Sequence, residues 1–200
     1  MPLFTGLLPM RVITGSAKGR QLKGPPDIGT RPMLDRVKES LFGILEGFNA
    51  FEGRALDLFA GTGSLGIECL SRGAEWADFV EARSHVAAVT KDNLKTTKLA
   101  ERAKVWNVSV DKFLQIIDEK TKYAIILLDP PYAMEGIPDL VVRVAEHGIL
   151  DPNGVLVLGH WPKLVMPPQL GPLSLLKHRR IGDSCFSIYE LSPALPPQSE

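Results

Sequence analysis

The sequence predicts an α/β protein built on a doubly wound, mostly parallel sheet. Three observations carry this. Apolar strand-like runs alternate with helical stretches from residue 54 onward, and a glycine-rich turn sits at the first strand-to-helix junction. The chain then closes on an antiparallel hairpin. Its 200 residues with 44% hydrophobic content suit one globular domain large enough to enclose a pocket.

The elements follow in order. Arg11-Val12-Ile13-Thr14, Ser16-Ala17-Lys18-Gly19 and Arg20-Gln21-Leu22 predict a basic β-hairpin around a glycine turn. Residues 24–32 make a Pro/Gly loop. Leu34, Val37, Leu41 and Ile44 fall at helical spacing with Arg36, Lys38 and Glu39 facing elsewhere, so a helix is expected over 34–45. Strands are then expected at 55–59, 77–80, 104–108, 124–128 and 154–158, with helices between them at 64–71, 85–98, 110–118 and 138–147. Four such crossovers require parallel strands with helices on both faces. Residues 173–180, a Gly182-Asp183 turn and 185–191 form the closing hairpin at the sheet edge. The leader 1–9 and the Pro-rich tail 192–200 are expected to be disordered.

Net charge is zero, so the total does not announce a polyanionic partner. The distribution is uneven, however. Between Met10 and Lys38 stand Arg11, Lys18, Arg20, Lys23, Arg31, Arg36 and Lys38 against Asp27 and Asp35 alone, and Lys177-His178-Arg179-Arg180 is a second basic cluster. Such asymmetry suits phosphate contacts, although a solvated charged face would look the same. Cys69 and Cys185 have no Cys or His neighbours at metal-ligand spacing, so neither a disulfide framework nor a zinc site is expected. No apolar run reaches the roughly 20 residues of a membrane span, and the leader lacks a basic n-region. A metal-free, cytoplasmic monomer is the expectation.

The first chemical signal is Leu56-Asp57-Leu58-Phe59-Ala60-Gly61-Thr62-Gly63-Ser64-Leu65-Gly66. Gly61, Gly63 and Gly66 satisfy G-x-G-x-x-G between a strand and a helix, where missing side chains let backbone approach a ligand. The motif alone also fits NAD-binding folds. Asp57 separates the two, because a carboxylate four residues before Gly61 repels a pyrophosphate but attracts an ammonium. Glu81 ends the second strand of the alternating region, where an acid can accept both ribose hydroxyls of an adenosine. An amino-acid end joined to an adenosine end describes S-adenosyl-L-methionine.

The second signal is Asp129-Pro130-Pro131-Tyr132 at the end of the apolar strand Tyr123-Ala124-Ile125-Ile126-Leu127-Leu128. In an open α/β sheet the carboxyl ends of the strands form the ligand crevice. Two prolines fix the backbone and leave a carbonyl free to accept. The amino nitrogen of a nucleobase is a poor nucleophile because its lone pair is delocalised into the ring. The Asp129 carboxylate and the Pro130 carbonyl can accept its two N–H groups and pull it toward a pyramidal shape, while Tyr132 stacks on the extruded base. Asp129, Pro130 and Tyr132 are therefore the candidate catalytic residues, and methylation of an exocyclic base amine is the expected chemistry.

These motifs resemble the RsmD family, bacterial 16S ribosomal RNA guanine-N2 methyltransferases. The resemblance runs from Met10 to Leu191. Besides the two site motifs it includes Arg11-Val12-Ile13-Thr14-Gly15 with Lys18-Gly19-Arg20, then Thr30-Arg31-Pro32, then Asp35-Arg36-Val37-Lys38-Glu39-Ser40-Leu41-Phe42, and last Gly182-Asp183-Ser184. It implies a Rossmann-like class I methyltransferase sheet of seven strands, with small-subunit ribosomal RNA as partner, free or assembled with ribosomal proteins. It also implies a cofactor set of Asp57, Phe59, Gly61, Thr62, Gly63, Glu81, Ser109 and Val110. Two positions depart from the family pattern. Ser109 stands where Asp or Asn is usual, and Gly159-His160 stands where the fifth strand commonly ends in an acid. Residues 10–50 become an RNA-docking unit in which Arg11, Lys18, Arg20, Arg31, Arg36 and Lys38 face phosphates, and 51–191 become the methyltransferase domain. Two rivals share some of these motifs: a DNA adenine-N6 methyltransferase, disfavoured by the lack of a long target-recognition insertion, and a non-catalytic dinucleotide-binding module, disfavoured by Asp57 and Asp129.

Overall fold

The computed structural model describes residues 10–24 and 35–192. The expectations for the leader, most of the Pro/Gly loop, Arg31 and nearly all of the tail lie outside them. A two-stranded antiparallel hairpin, β1 (Met10–Arg11) with β2 (Gln21–Leu22), precedes α1 (Asp35–Leu45). The alternating region then runs β3 (Arg54–Asp57), α2 (Ser64–Arg72), β4 (Trp76–Val80), α3 (Ser84–Thr97), β5 (Ala103–Trp106), α4 (Val110–Ile116), β6 (Tyr123–Leu128), α5 (Ile137–Glu146) and β7 (Leu150–His160). It closes with β8 (Gln169–Leu170), β9 (Leu173–Ile181) and β10 (Ser184–Leu191).

The sheet order is β5-β4-β3-β6-β7-β10-β9-β8. The five strands from β5 to β7 are parallel, and β10, β9 and β8 add antiparallel pairs. The seven expected strands are therefore present, and the two-residue β8 lengthens one edge. The chain starts in β3, winds outward through β4 and β5, then returns to β6 on the other side of β3. That reversal places a topological switch between β3 and β6, where open α/β sheets bind ligands.

Strand alternation divides the core between two faces. Ala55, Ala77, Phe79, Ile125, Leu127, Val155 and Val157 point toward one side, where α1, α2 and α3 pack through Val37, Leu41, Phe42, Ile67, Leu70 and Leu94. Leu56, Leu58, Val80, Ile126, Leu128, Leu156 and Leu158 point to the other, covered by α4 and α5 through Phe113, Leu114, Leu140, Val141 and Val144. Helices on both faces follow from strands that are apolar at consecutive positions.

The N-terminal hairpin packs into the first of these cores and is pinned to α2 by two side chains. Buried Glu68 accepts the Ile13 and Thr14 N–H groups at 2.8 and 3.0 Å. The Ser71 hydroxyl accepts from Ala17 N–H at 2.9 Å and donates to the Thr14 carbonyl at 2.6 Å. The backbones meet so closely that a Cβ on Gly15, itself at φ +86°, would lie 1.8 Å from the Ser71 carbonyl oxygen. Only glycine fits there.

Lys38 departs from expectation. It does not face solvent and cannot present a charge to phosphate, being 1% exposed. Its ammonium donates to the Arg11 carbonyl at 3.1 Å and the Ser64 hydroxyl at 2.9 Å, and it pairs with Glu68 at 3.6 Å. Helical spacing placed Lys38 beside Val37, on the flank of the apolar stripe, and the docked hairpin covers that flank. Burial lowers its pKa against the raising influence of Glu68.

Candidate active site

A cavity of about 770 Å³ opens at the carboxyl ends of β3, β4, β5 and β6. Its wall includes Phe59, Gly61 and Thr62 from the turn after β3, Glu81 after β4, Ser109 and Val110 after β5, and Asp129, Pro130 and Tyr132 after β6. Four separate loops thus bring nine of the eleven expected catalytic and cofactor residues to one hollow.

Asp57 and Gly63 are the exceptions, and both lie behind the glycine turn. Asp57 is 1% exposed; its Oδ2 accepts the Gly66 N–H at 3.1 Å, while its Oδ1 is buried with no partner. No other fully buried carboxylate oxygen among the described residues is unpartnered. Gly63 serves packing, since a Cβ there would meet Thr90 Cγ2 at 2.7 Å. At Gly61 the nearest neighbour of such a Cβ is 3.9 Å away, so close approach of a ligand is what a side chain would obstruct.

Glu81 is held in place from two directions. Its Oε2 accepts the Gly61 N–H at 3.1 Å, and its Oε1 accepts the Arg83 N–H at 2.9 Å. The Arg83 guanidinium also donates its Nε–H to Oε1 at 3.1 Å, so the lone pair still open to a hydroxyl is on Oε2. Ser109 has a structural duty as well: its hydroxyl caps α4 by accepting the Lys112 N–H at 3.2 Å.

Burial pushes the Asp57 carboxyl up to about 7, opposed by the Gly66 N–H that Oδ2 accepts and reinforced by the nearby charges of Asp129 and Glu81. The Phe59 N–H lies close enough to oppose it slightly without forming a well-aligned hydrogen bond. Burial likewise pushes Asp129 up to about 6. A raised carboxyl keeps a proton in the folded state that the unfolded chain releases near its ordinary value of 3.8. Stability from these two groups is therefore full below that value and is lost as pH climbs through about 6 and 7. Urea titrations from mildly acid to mildly alkaline pH should show Asp57→Asn and Asp129→Asn each losing part of the parental decline. Parallel curves would mean that neither carboxyl is raised.

Three contributors escaped the reading of the sequence. Thr90 Oγ1 donates to the Gly61 carbonyl at 2.6 Å, and Asn93 Nδ2 donates to the Thr62 carbonyl at 2.9 Å, so α3 holds the glycine turn from below. A signal existed: Thr90, Asn93 and Thr97 share the buried face of α3, at the spacing of an apolar stripe. The third, Asn107, braces the Glu81 loop by donating to the Glu81 and Ala82 carbonyls at 2.8 and 3.0 Å.

The expected phosphate-facing cations are unequal. Lys18 and Arg36 are exposed. Arg11 pairs with Asp35 at 3.2 Å, and Arg20 donates to the Thr96 carbonyl at 2.7 Å, so part of each guanidinium is committed. Among the described residues no cluster of His, Cys, Asp and Glu could hold a metal, and no helix is long and apolar enough to cross a membrane.

Comparison with known proteins adds three relatives and a family. The family model described as "Conserved hypothetical protein 95" matches residues 10–190. YlbH of Bacillus subtilis, provisionally named an rRNA methyltransferase, is 38% identical over 183 residues, covering 90% of this chain and 98% of that one. Ribosomal RNA small subunit methyltransferase D of Haemophilus influenzae is 34% identical over 183 residues, covering 90% and 93%. The solved structure of yhhF from Escherichia coli, provisionally titled a methyltransferase, superposes with a TM-score of 0.78 at 31% identity and covers 92% of this chain and 98% of that one.

Proposed function

The chain belongs to the RsmD-like family described as Conserved hypothetical protein 95, and on that premise we propose that it methylates the exocyclic N2 amine of a guanine in small-subunit ribosomal RNA, with S-adenosylmethionine as donor. The carrying observation is the convergence at one switch point of Asp57, Glu81 and Asp129, with the Tyr132 ring standing 47% exposed beside them.

The residues present fit the cofactor. When ionised, Asp57 places negative charge beneath the glycine turn with Oδ1 unpartnered, which favours an ammonium and disfavours a pyrophosphate. Glu81 keeps an open lone pair on Oε2 for a ribose hydroxyl. Phe59 and Val110 supply apolar surface. When bound, S-adenosylmethionine supplies an electrophilic methyl group on a sulfonium.

The chain's own part is positioning and electrostatics. Tyr132 receives the face of the extruded base. Asp129 and the Pro130 carbonyl accept the two amine N–H groups, which gathers electron density on nitrogen. Asp129 would take the proton that the amine nitrogen must shed on gaining the methyl group that the bound donor would supply. A carboxyl poised at about 6 is suited to receive it.

Incubation with labelled S-adenosylmethionine and small-subunit RNA, with and without ribosomal proteins, followed by nucleoside digestion, tests the reading. N2-methylguanosine is expected. N6-methyladenosine, or transfer only to DNA, would move the substrate to the adenine class.

The RNA would dock across the N-terminal segment, where Lys18 and Arg36 are exposed. Each phosphate contact contributes about −0.7 to −0.9 to the slope of log affinity against log salt. Replacing Lys18 and Arg36 together with alanine should flatten that slope by roughly one to two units, with cofactor affinity constant. A parental slope would shift the docking surface to the cluster Lys177-His178-Arg179-Arg180.

A further inference from the structure

His160, the last residue of β7, lines the cavity, yet it is 2% exposed. Both ring nitrogens have partners within the protein. Nδ1 lies 3.1 Å from the Trp161 carbonyl oxygen and Nε2 lies 3.0 Å from Ser187 Oγ. Ser187 is fully buried on β10, and its Oγ also lies 3.2 Å from Nδ1 of His178 on β9.

Elementary hydrogen-bond chemistry gives this chain one direction. A carbonyl oxygen only accepts, so Nδ1 of His160 carries the proton. Burial favours the neutral ring, which leaves Nε2 as an acceptor. Ser187 must therefore donate its hydroxyl proton to Nε2, and its oxygen is free to accept from His178 Nδ1–H. The series runs His178 to Ser187 to His160 to the Trp161 carbonyl, with both His160 nitrogens and the Ser187 hydroxyl satisfied. His160 consequently has no nitrogen left for substrate, although it borders the cavity.

What the chain holds is the backbone of Trp161, whose ring stands 5.7 Å from the Tyr132 ring at 54°. Tyr132 is one of three large hydrophobic side chains exposed among the described residues. A half-exposed ring without a neighbour would spread over several rotamers and would lose that freedom on meeting a base.

We propose that Trp161 is a positioning residue that sets the ring plane of Tyr132 for stacking on the target base, and that the chain from His178 through Ser187 and His160 anchors it. This rests on the function proposed above for Tyr132. An aromatic pair adds about 0.5–1.5 kcal/mol beyond its area, which corresponds to roughly two- to tenfold in affinity. Trp161→Leu should raise the KM for RNA by about that factor while kcat and cofactor affinity change far less, and Trp161→Phe should recover most of the loss.

A second measurement reads the anchor without relying on activity. The chain has three tryptophans, so fluorotryptophan labelling gives three ¹⁹F resonances, with Trp161 assigned by its absence in Trp161→Phe. Ser187→Ala cuts the chain and should shift or broaden the Trp161 resonance, leaving those of Trp76 and Trp106 in place as evidence of an intact fold. Tyr132→Leu should shift the same resonance by removing a ring current. An unmoved Trp161 resonance in Ser187→Ala, or an unchanged RNA KM in Trp161→Leu, overturns the proposal. Failure of the wild-type protein to methylate any RNA overturns the proposed function instead, while the resonance still reports whether the chain holds Trp161.

Discussion

Asp129→Ala should lower turnover by roughly 10²–10³ while leaving S-adenosylmethionine affinity close to parental, the size expected for loss of one preorganised polar group aimed at developing charge. Asp129 sits at the end of β6, and the Pro-Pro sequence after it limits how the loop can move. Its carboxyl is where positive charge would appear on the base amine as the methyl arrives. The ground state makes less use of it, so the loss should fall on kcat more than on KM. The pH profile gives an independent handle. A base must be ionised to act, so kcat should rise with pH and level off above about 6. Single-turnover rates in Asp129→Ala should lose that rise. A fully active, pH-independent variant would place the chemistry elsewhere in the cavity.

The next largest effect is expected at Asp57, and asparagine is the better substitution. Asp57 does two things: Oδ2 accepts the Gly66 N–H at 3.1 Å, and the carboxylate as a whole supplies negative potential under the glycine turn. Asparagine keeps an acceptor for Gly66 and removes the charge, so the turn is preserved while the electrostatics are not. S-adenosylmethionine affinity should fall by about 1.5–3 kcal/mol, the range for an interaction with a charged group. In the parental protein the carboxyl is raised to about 7, so a cationic ligand must draw off a proton to bind below that pH. Affinity should therefore climb with pH and flatten above about 7, with proton release on binding in the acid range. Calorimetry in buffers of different ionisation enthalpy measures both. Unchanged affinity and unchanged proton release in folded Asp57→Asn would remove Asp57 from cofactor binding.

Much of this protein is determined by local sequence alone. The five parallel strands, their intervening helices and the closing hairpin follow from apolar period and turn chemistry, which act within a few residues. The glycine turn and Asp129-Pro130-Pro131-Tyr132 name the site for the same reason, since each is a contiguous segment whose backbone demands are written in its own residues. Contacts between distant segments were decided only by tertiary structure. Helical spacing gave Lys38 a polar flank, but only the docked hairpin shows that flank to be covered and its ammonium to be paired with Glu68. Asp57 and Gly63 belong to the right motif, yet whether each meets the cavity or lies behind the turn depends on how α2 and α3 pack beneath it. The hairpin sets His178 opposite Ser187, but Trp161 meets Tyr132 only because β7 lies beside β6, and Ser187 meets His160 only because β10 lies beside β7, neighbours that no local pattern encodes. Periodicity records which face of an element is buried; it does not record what buries it.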